Sequence, residues 1–276
     1  MEVPIHAITL AGAGSPTLYH WIRHYQELGV DEIHVHLHIP EGQAAAREPL
    51  EADAQAAGCR IAAVHSGDWM AAAHAVYHES RQAFPNHWFV LADVDEFQEY
   101  PGGLRKVISE CDRVGFDAIR GCFLDRLSRD GVLAPVEKHR PLSQQFPIGA
   151  FLTATILLGD PRKVVAVKGG RPVRRGQHHP IGGNPCPPRY YYLPVHHYKW
   201  VAGLEERLCA RIDYLKKQGY MRWGESARFL QWLKHNGGRI NLQEPALMAA
   251  DSTNGYPHWA RLVQKALDLP IPAVTS

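Results

Sequence analysis

Through the first 92 residues, short apolar runs alternate with stretches of helical length, and no other feature limits the fold so severely. Pro4–Ala11, Glu32–Ile39, Arg60–His65 and His87–Ala92 read as strands. Ser15 and Pro16 supply an N-cap and a first-turn proline for a helix that carries Leu18, Trp21, Ile22, Tyr25 and Leu28 at helical spacing and stops at Gly29. Ala44–Ala57, closed by Gly58, and Asp68–Phe84 read as two more helices. Strands joined by helices of this length run parallel, through right-handed crossovers. The expected fold is α/β, with a mostly parallel sheet flanked by helices. Sheets of that kind bind ligands at the carboxyl ends of their strands.

The second half is less regular. Asp117–Leu124 reads as a strand, Lys163–Arg175 as a hairpin around Gly169–Gly170, and His178–Pro188 as a proline- and glycine-rich loop. Helices are expected over Leu204–Gln218, Ser226–His235 and Pro257–Leu267. No repeat or linker demands a second independent domain. The expected organisation is therefore one domain over residues 1–205, with a C-terminal helical extension, 206–276, packed on it.

The fourth strand ends in chemistry. Trp88 to Ala92 are apolar, and Asp93, Asp95 and Glu96 follow at once. Taking a carboxylate out of water costs several kcal/mol or more unless positive charge compensates it. Alternation along a strand points Asp93 and Asp95 the same way. A divalent cation would relieve their repulsion, so Asp-x-Asp at a strand's carboxyl end suits Mg²⁺ or Mn²⁺ carrying phosphate oxygens. A solvated acidic turn is the plainer alternative.

Thirty basic residues against 28 acidic ones leave a net charge of +2, which argues against a nucleic-acid surface. The five cysteines are scattered, without Cys-x-x-Cys, and fit a reducing compartment. The amino terminus lacks the signal-peptide pattern, and the apolar stretch Phe146–Gly159 is too short and interrupted to span a bilayer. A cytoplasmic protein without a membrane span is expected.

WIRHYQELGVDEIHVHLH, at 21–38, resembles the start of bacterial family 2-like and family 92-like glycosyltransferases, enzymes of GT-A (Rossmann-like) fold. FVLADVDEF at 89–97 resembles their Asp-x-Asp metal motif. KVVAVKGGRPVRRGQHH at 163–179 and PVHHYKW at 194–200 resemble their later lysine, histidine and His-Tyr elements. The likeness covers residues 3–205 in order. It implies transfer of a sugar from a nucleotide diphosphate donor, a UDP-sugar above others, to a hydroxyl of a small-molecule or glycan acceptor, with Mn²⁺ or Mg²⁺ as cofactor. Asp95 is then the first metal ligand, and Asp93 contacts the ribose or a metal-bound water. His178 or His179 is the late histidine ligand, a question shared with His196–His197. Lys168 and Lys199 become charge partners of the donor, and Thr9 and Ala11 lie where such an enzyme holds base and ribose.

Other residues carry rival readings. If the reaction inverts the anomeric centre, a carboxylate must take the acceptor proton. Asp125 is the first choice, with Asp130 and Glu137 in reserve, against an Asp125–Arg126 pair that merely pins a loop. Trp200, Trp223, Trp232 and Tyr190–Tyr192 offer stacking surfaces, although most tryptophans are core residues. His34, His36 and His38 alternate on one face of the second strand, as a zinc site on a sheet would require. No neighbouring Cys or Glu completes that set, which favours packing. LAGAGSPT, 10–17, has the glycines of a phosphate-cradling turn. A nucleotidyltransferase needs a basic residue in the turn itself, and none occurs between Leu10 and Tyr19. That activity, and a non-catalytic nucleotide-sugar-binding protein, remain the alternatives.

Overall fold

The computed structural model describes residues 3–221, 223–253, 255 and 259–267. In chain order the elements are β1 (Ile5–Gly12), α1 (Leu18–Glu27), β2 (Glu32–His38), α2 (Arg47–Ala56), β3 (Ile61–His65), α3 (Trp69–Tyr77), β4 (Trp88–Leu91), β5 (Glu96–Gln98) and α4 (Leu104–Val114). There follow β6 (Ala118–Leu127), α5 (Leu142–Gln145), β7 (Ile148–Ala150), α6 (Leu152–Thr155), β8 (Arg162–Lys168) and β9 (Tyr192–His197). The last are α7 (Leu204–Lys217), α8 (Trp223–His235), β10 (Ala250–Asp251) and α9 (Trp259–Leu267). Among the described residues no helix is long and apolar enough to cross a membrane.

The chain forms two compact units, residues 1–122 with 162–195 and residues 123–161 with 196–276. Residues 206–276 thus share a unit with 123–161.

The first unit is the Rossmann-like α/β sheet, in the order β6-β8-β4-β1-β2-β3. β1 pairs in parallel with β2 and β4, and β2 with β3; β8 alone runs against its neighbours β4 and β6. Crossover helices explain the parallel part. The apolar runs of β1 and β4 are buried on both faces, as strands under such helices must be. Helix α1 turns Leu18, Trp21, Ile22 and Tyr25 into the core. Ile8, Leu10, Val76, Phe89, Leu91, Val164 and Val167 form a second packed layer.

Three local expectations are corrected. Helix α1 starts at Leu18 with Thr17 as its cap residue, because the Ser15 hydroxyl turns back to the Gly12 carbonyl at 2.8 Å. The Asp68–Phe84 helix ends at Tyr77. Residues 163–175 are no hairpin. β8 stops at Lys168, and the chain beyond is held by Arg81, whose buried guanidinium donates to the carbonyls of Lys168, Gly169 and Arg171 at 3.2–3.3 Å. Gly169 is required there, since a Cβ would stand 2.1 Å from the Phe84 carbonyl oxygen.

The second unit packs Leu127, Ile148, Leu152, Trp200, Leu204, Leu208, Phe229 and Leu233 into one core. Leu204, Leu208, Ile212 and Leu215 are the buried face of α7, as their spacing predicts. β6 and β7 pair in antiparallel register through Asp125↔Ala150, and β7 pairs with β10.

Candidate functional site

In the first unit, β4 ends at Leu91 and the acidic residues occupy the turn into β5. The Glu96 amide donates to the Asp93 carbonyl at 2.8 Å, and the Asp93 amide donates to the Glu96 carboxylate at 3.2 Å. Strand alternation therefore does not orient Asp93 and Asp95. The turn does. It is also fastened to the β1–α1 connection, where the Thr17 hydroxyl donates to the Val94 carbonyl at 2.8 Å.

The compensating charge is a residue that sequence reasoning missed. The Lys163 ammonium lies 2.8 Å from Glu96 Oε1 and 3.3 Å from Asp93 Oδ2, and its side chain is 1% exposed. It also donates to the Gly176 carbonyl and to Gln177 Oε1, each at 3.1 Å. Burial alone would lower the Lys163 pKa, but Asp93 and Glu96 overcome it and hold the group well above its ordinary value. Burial pushes Glu96 far above the carboxylate range against the pull of Lys163. Asp93, whose side chain is 41% exposed, moves down against partial desolvation, because Lys163 and the Tyr77 hydroxyl, 2.8 Å from Oδ1, stabilise its anion.

The strand register explains why Lys163 and not Lys168 serves here. β8 runs antiparallel to β4 with Lys168 opposite Trp88, at the amino end of β4. There Lys168 pairs with Asp112 at 2.7 Å. Lys163, five residues earlier, is carried to the carboxyl end. An antiparallel β8 was the missing information, because the parallel reading of the first half did not extend to it.

A groove adjoins this cluster. Met70, Ala73, His74, Tyr77, His78 and residues 173–177 line it. Tyr77 joins it to Asp93, and Gly176 and Gln177 join it to Lys163. Arg174 and Arg175 are exposed in its wall, so the groove is basic where the turn is acidic.

His178 is tethered through Nδ1, 2.7 Å from the Arg162 carbonyl oxygen, the kind of contact that fixes the ring and tautomer of an imidazole. His179 accepts the Arg174 amide through its own backbone carbonyl. Neither histidine forms a group of three close ligand atoms with Asp93 and Asp95 among the described residues. The two carboxylates suit Mg²⁺ or Mn²⁺, which takes one or two from a protein and completes its shell with water and substrate phosphate. Thr9 and Ala11 are wholly buried in β1, Thr9 beside Tyr77, so their side chains face the core.

The second unit holds the remaining choices. Asp125 is fully buried. Its Oδ1 accepts from Thr153 Oγ1 at 2.7 Å, His197 Nδ1 at 2.8 Å and Trp200 Nε1 at 2.7 Å, and its Oδ2 accepts the Thr153 amide at 2.6 Å. A base must present a free lone pair to the acceptor hydroxyl. The Asp125 carboxylate is sealed from solvent and already engaged by four donors, so it offers no open face to an acceptor hydroxyl, and the expectation that it is the base is corrected. Nor does it pair with Arg126, which donates from Nε to the Phe146 carbonyl. Asp130 closes a turn with Ser128 and Val132, and Glu137 pairs with Arg140 at 3.2 Å. Lys199 lies 5.5 Å from the Trp200 ring centre. Trp200 itself is core, Trp232 packs against the same cluster, and the Trp223 ring is covered by Lys216. Of the three tyrosines at 190–192, Tyr190 is exposed, whereas Tyr191 bonds Glu110.

His34, His36 and His38 do not share a ligand. Each finds a different partner on a neighbouring strand or turn: His6 at 3.0 Å, His65 at 3.0 Å and the Gly67 carbonyl at 3.1 Å. Desolvation lowers the pKa of His34 and takes that of His36 down to about 4.

No protein-family profile matches the chain, and no curated protein does. Among solved structures, a Bacillus anthracis protein described as a glucose-1-phosphate thymidylyltransferase, solved with sucrose, is 12% identical with a TM-score of 0.31 over 98% of each chain. HddC from Yersinia pseudotuberculosis is 13% identical with a TM-score of 0.26, over 46% of this chain and 60% of its own. Neither likeness bears on what this chain does.

Proposed function

We propose that the protein is a metal-dependent glycosyltransferase that takes a sugar from a nucleoside-diphosphate donor, UDP-sugar first, and passes it to a hydroxyl acceptor. The observation that carries this reading is the pairing of an acidic turn, Asp93 and Asp95, with a basic groove that adjoins it at the carboxyl end of β4. Lys163 and Tyr77 keep Asp93 ionised while its side chain stays 41% exposed, so the turn presents an anionic oxygen to a cation.

Asp95 and Asp93 would hold the metal, with His178 favoured over His179 by its tethered Nδ1. When bound, the metal neutralises charge that gathers on the diphosphate leaving group. The chain's own residues do the rest. Arg174 and Arg175 offer charge-assisted hydrogen bonds to phosphate oxygens, and Arg81 fixes the segment that leads to them. Lys163 and Tyr77 orient Asp93, and the GT-A reading of the sheet rests on the motif order at 21–38, 89–97, 163–179 and 194–200.

A nucleotidyltransferase is disfavoured because the turn after β1, Gly12 to Thr17, holds no basic residue. The test is to titrate UDP, GDP and ADP with and without Mn²⁺, and then to follow diphosphate release from the matching nucleotide sugars with mixed sugar acceptors. Mn²⁺-dependent binding followed by transfer supports the proposal. Pyrophosphate release from a nucleoside triphosphate and a sugar phosphate would establish the rival. Binding with neither reaction would leave a nucleotide-sugar-binding protein.

A further inference from the structure

The amino ends of β1 and β2 hold a cluster that the donor site does not use. His6 is the second residue of β1, and Glu32 stands opposite it as the first residue of β2. His34, two residues on, lies on the same face of β2 as Glu32. His6 Nδ1 is 3.0 Å from His34 Nε2, and Glu32 Oε2 is 3.3 Å from the first and 3.4 Å from the second. Among the described residues this is the one group in which three ligand atoms from His, Cys, Asp or Glu approach so closely.

The separations are those of a coordination face. Ligand atoms of a tetrahedral zinc, at about 2.0–2.1 Å from the ion, are about 3.3 Å apart. A triangle of 3.0, 3.3 and 3.4 Å has a circumscribed radius of about 1.9 Å, so an ion slightly above its plane reaches all three atoms at zinc bond lengths. We propose that His6 Nδ1, His34 Nε2 and Glu32 Oε2 bind Zn²⁺ or a like divalent transition metal, with water completing the shell.

The surroundings agree. His6 Nε2 lies 2.8 Å from His87 Nδ1, the second-nitrogen tether that fixes the ring and tautomer of a metal-binding histidine. The His6 ring is stacked against Phe89, Phe84 and His87 and is nearly sealed, so it cannot swing away. Glu32 and His34 have side chains 62% and 31% exposed, which gives the ion an entry path. Two imidazoles and one carboxylate favour zinc over Mg²⁺ or Mn²⁺, which prefer oxygen. The site is also remote from the acidic turn. His6 pairs with Phe89, four residues before Asp93, which is about 13 Å along a strand. A metal here would clamp β1 to β2 and take no part in sugar transfer.

The test uses the full untagged chain, stripped with chelator and desalted. Calorimetry with Zn²⁺ should give one tight site of about micromolar Kd or better, and Co²⁺ should give the visible absorption of a tetrahedral centre. Saturating Zn²⁺ should raise Tm by about 5 °C while Mg²⁺ leaves it unchanged. Glu32→Gln and His34→Ala should each weaken Zn²⁺ binding at least about tenfold. Glu32→Gln keeps shape at an exposed position, so its fold serves as the safeguard. His65→Ala, at the neighbouring His36–His65 pair, should leave binding unchanged. A Zn²⁺ Kd weaker than roughly 100 µM, or equal loss in His65→Ala and Glu32→Gln, overturns the site.

Discussion

The Lys163 ammonium and the Glu96 carboxylate lie 2.8 Å apart, with side chains 1% and 2% exposed. This pair, with Asp93 as its third member, decides how the acidic turn after β4 can exist at all. Water cannot stabilise a charge so enclosed, so the ammonium depends on these two carboxyl groups, of which burial drives Glu96 toward its neutral form.

Lys163→Met should therefore destabilise the fold by about 3–5 kcal/mol at neutral pH, the range for removing one partner of a buried pair. Glu96, already raised by burial in the wild type, rises further without the ammonium, and Asp93 loses the charge that holds it low. Groups so raised lose stability as pH rises, so the variant should recover on acidification. In the wild type Asp93 is held low, and its contribution falls as pH drops below the carboxylate range. The Tm difference between the two proteins should shrink between pH 7 and pH 5. A constant difference would show that Lys163 acts through packing alone.

Asp95→Asn keeps the size of the side chain in the turn and should leave Tm within about 1 °C. It should nevertheless weaken Mn²⁺-dependent diphosphate binding by about 10–100-fold. His178→Ala should weaken the same binding and His179→Ala should not. Calorimetry in Mn²⁺ and in chelator separates these outcomes, and equal affinity in both solutions would remove the metal from the proposal.

Arg174→Ala and Arg175→Ala should each reduce diphosphate affinity by about five- to tenfold, the size of one charge-assisted contact at a partly exposed site. The loss should diminish at high salt, because screening already weakens the wild-type contact. Nucleoside affinity, without phosphate, should not change. Titrations of UDP and uridine at two salt concentrations check both statements.

Asp125→Asn should behave as a structural lesion. The new amide group turns a donor toward atoms that already donate, at a fully buried site. A loss of about 2–4 kcal/mol is expected. Denaturant unfolding measures it. A variant of wild-type stability that had lost only turnover would restore Asp125 to the chemistry.

Local sequence was enough for the parallel half of the sheet. Apolar runs, helical spacing and glycine stops are short-range signals, and β1 to β4, α1 and α2 follow from them within a few residues, whereas α3 stops seven residues before Phe84. The acidic turn was legible for the same reason, since carboxylates directly after a buried run are anomalous wherever that run lies. What neutralises them was not legible. Lys163 and Lys168 are five residues apart on one strand, and only the direction of β8 against β4 decides which of them meets Asp93. Asp125 likewise looked like an open strand-end carboxylate, until Thr153, His197 and Trp200, distant in sequence, closed around it. The histidines of β2 make the same point. Their spacing suggested a ligand set along one strand, where alternate side chains stand about 7 Å apart. The close neighbours lie across strands, and His6 reached His34 and Glu32 only when β1 paired with β2. Periodicity is a property of one segment, whereas charge compensation and ligand geometry belong to pairs of segments, and strand pairing alone creates those pairs.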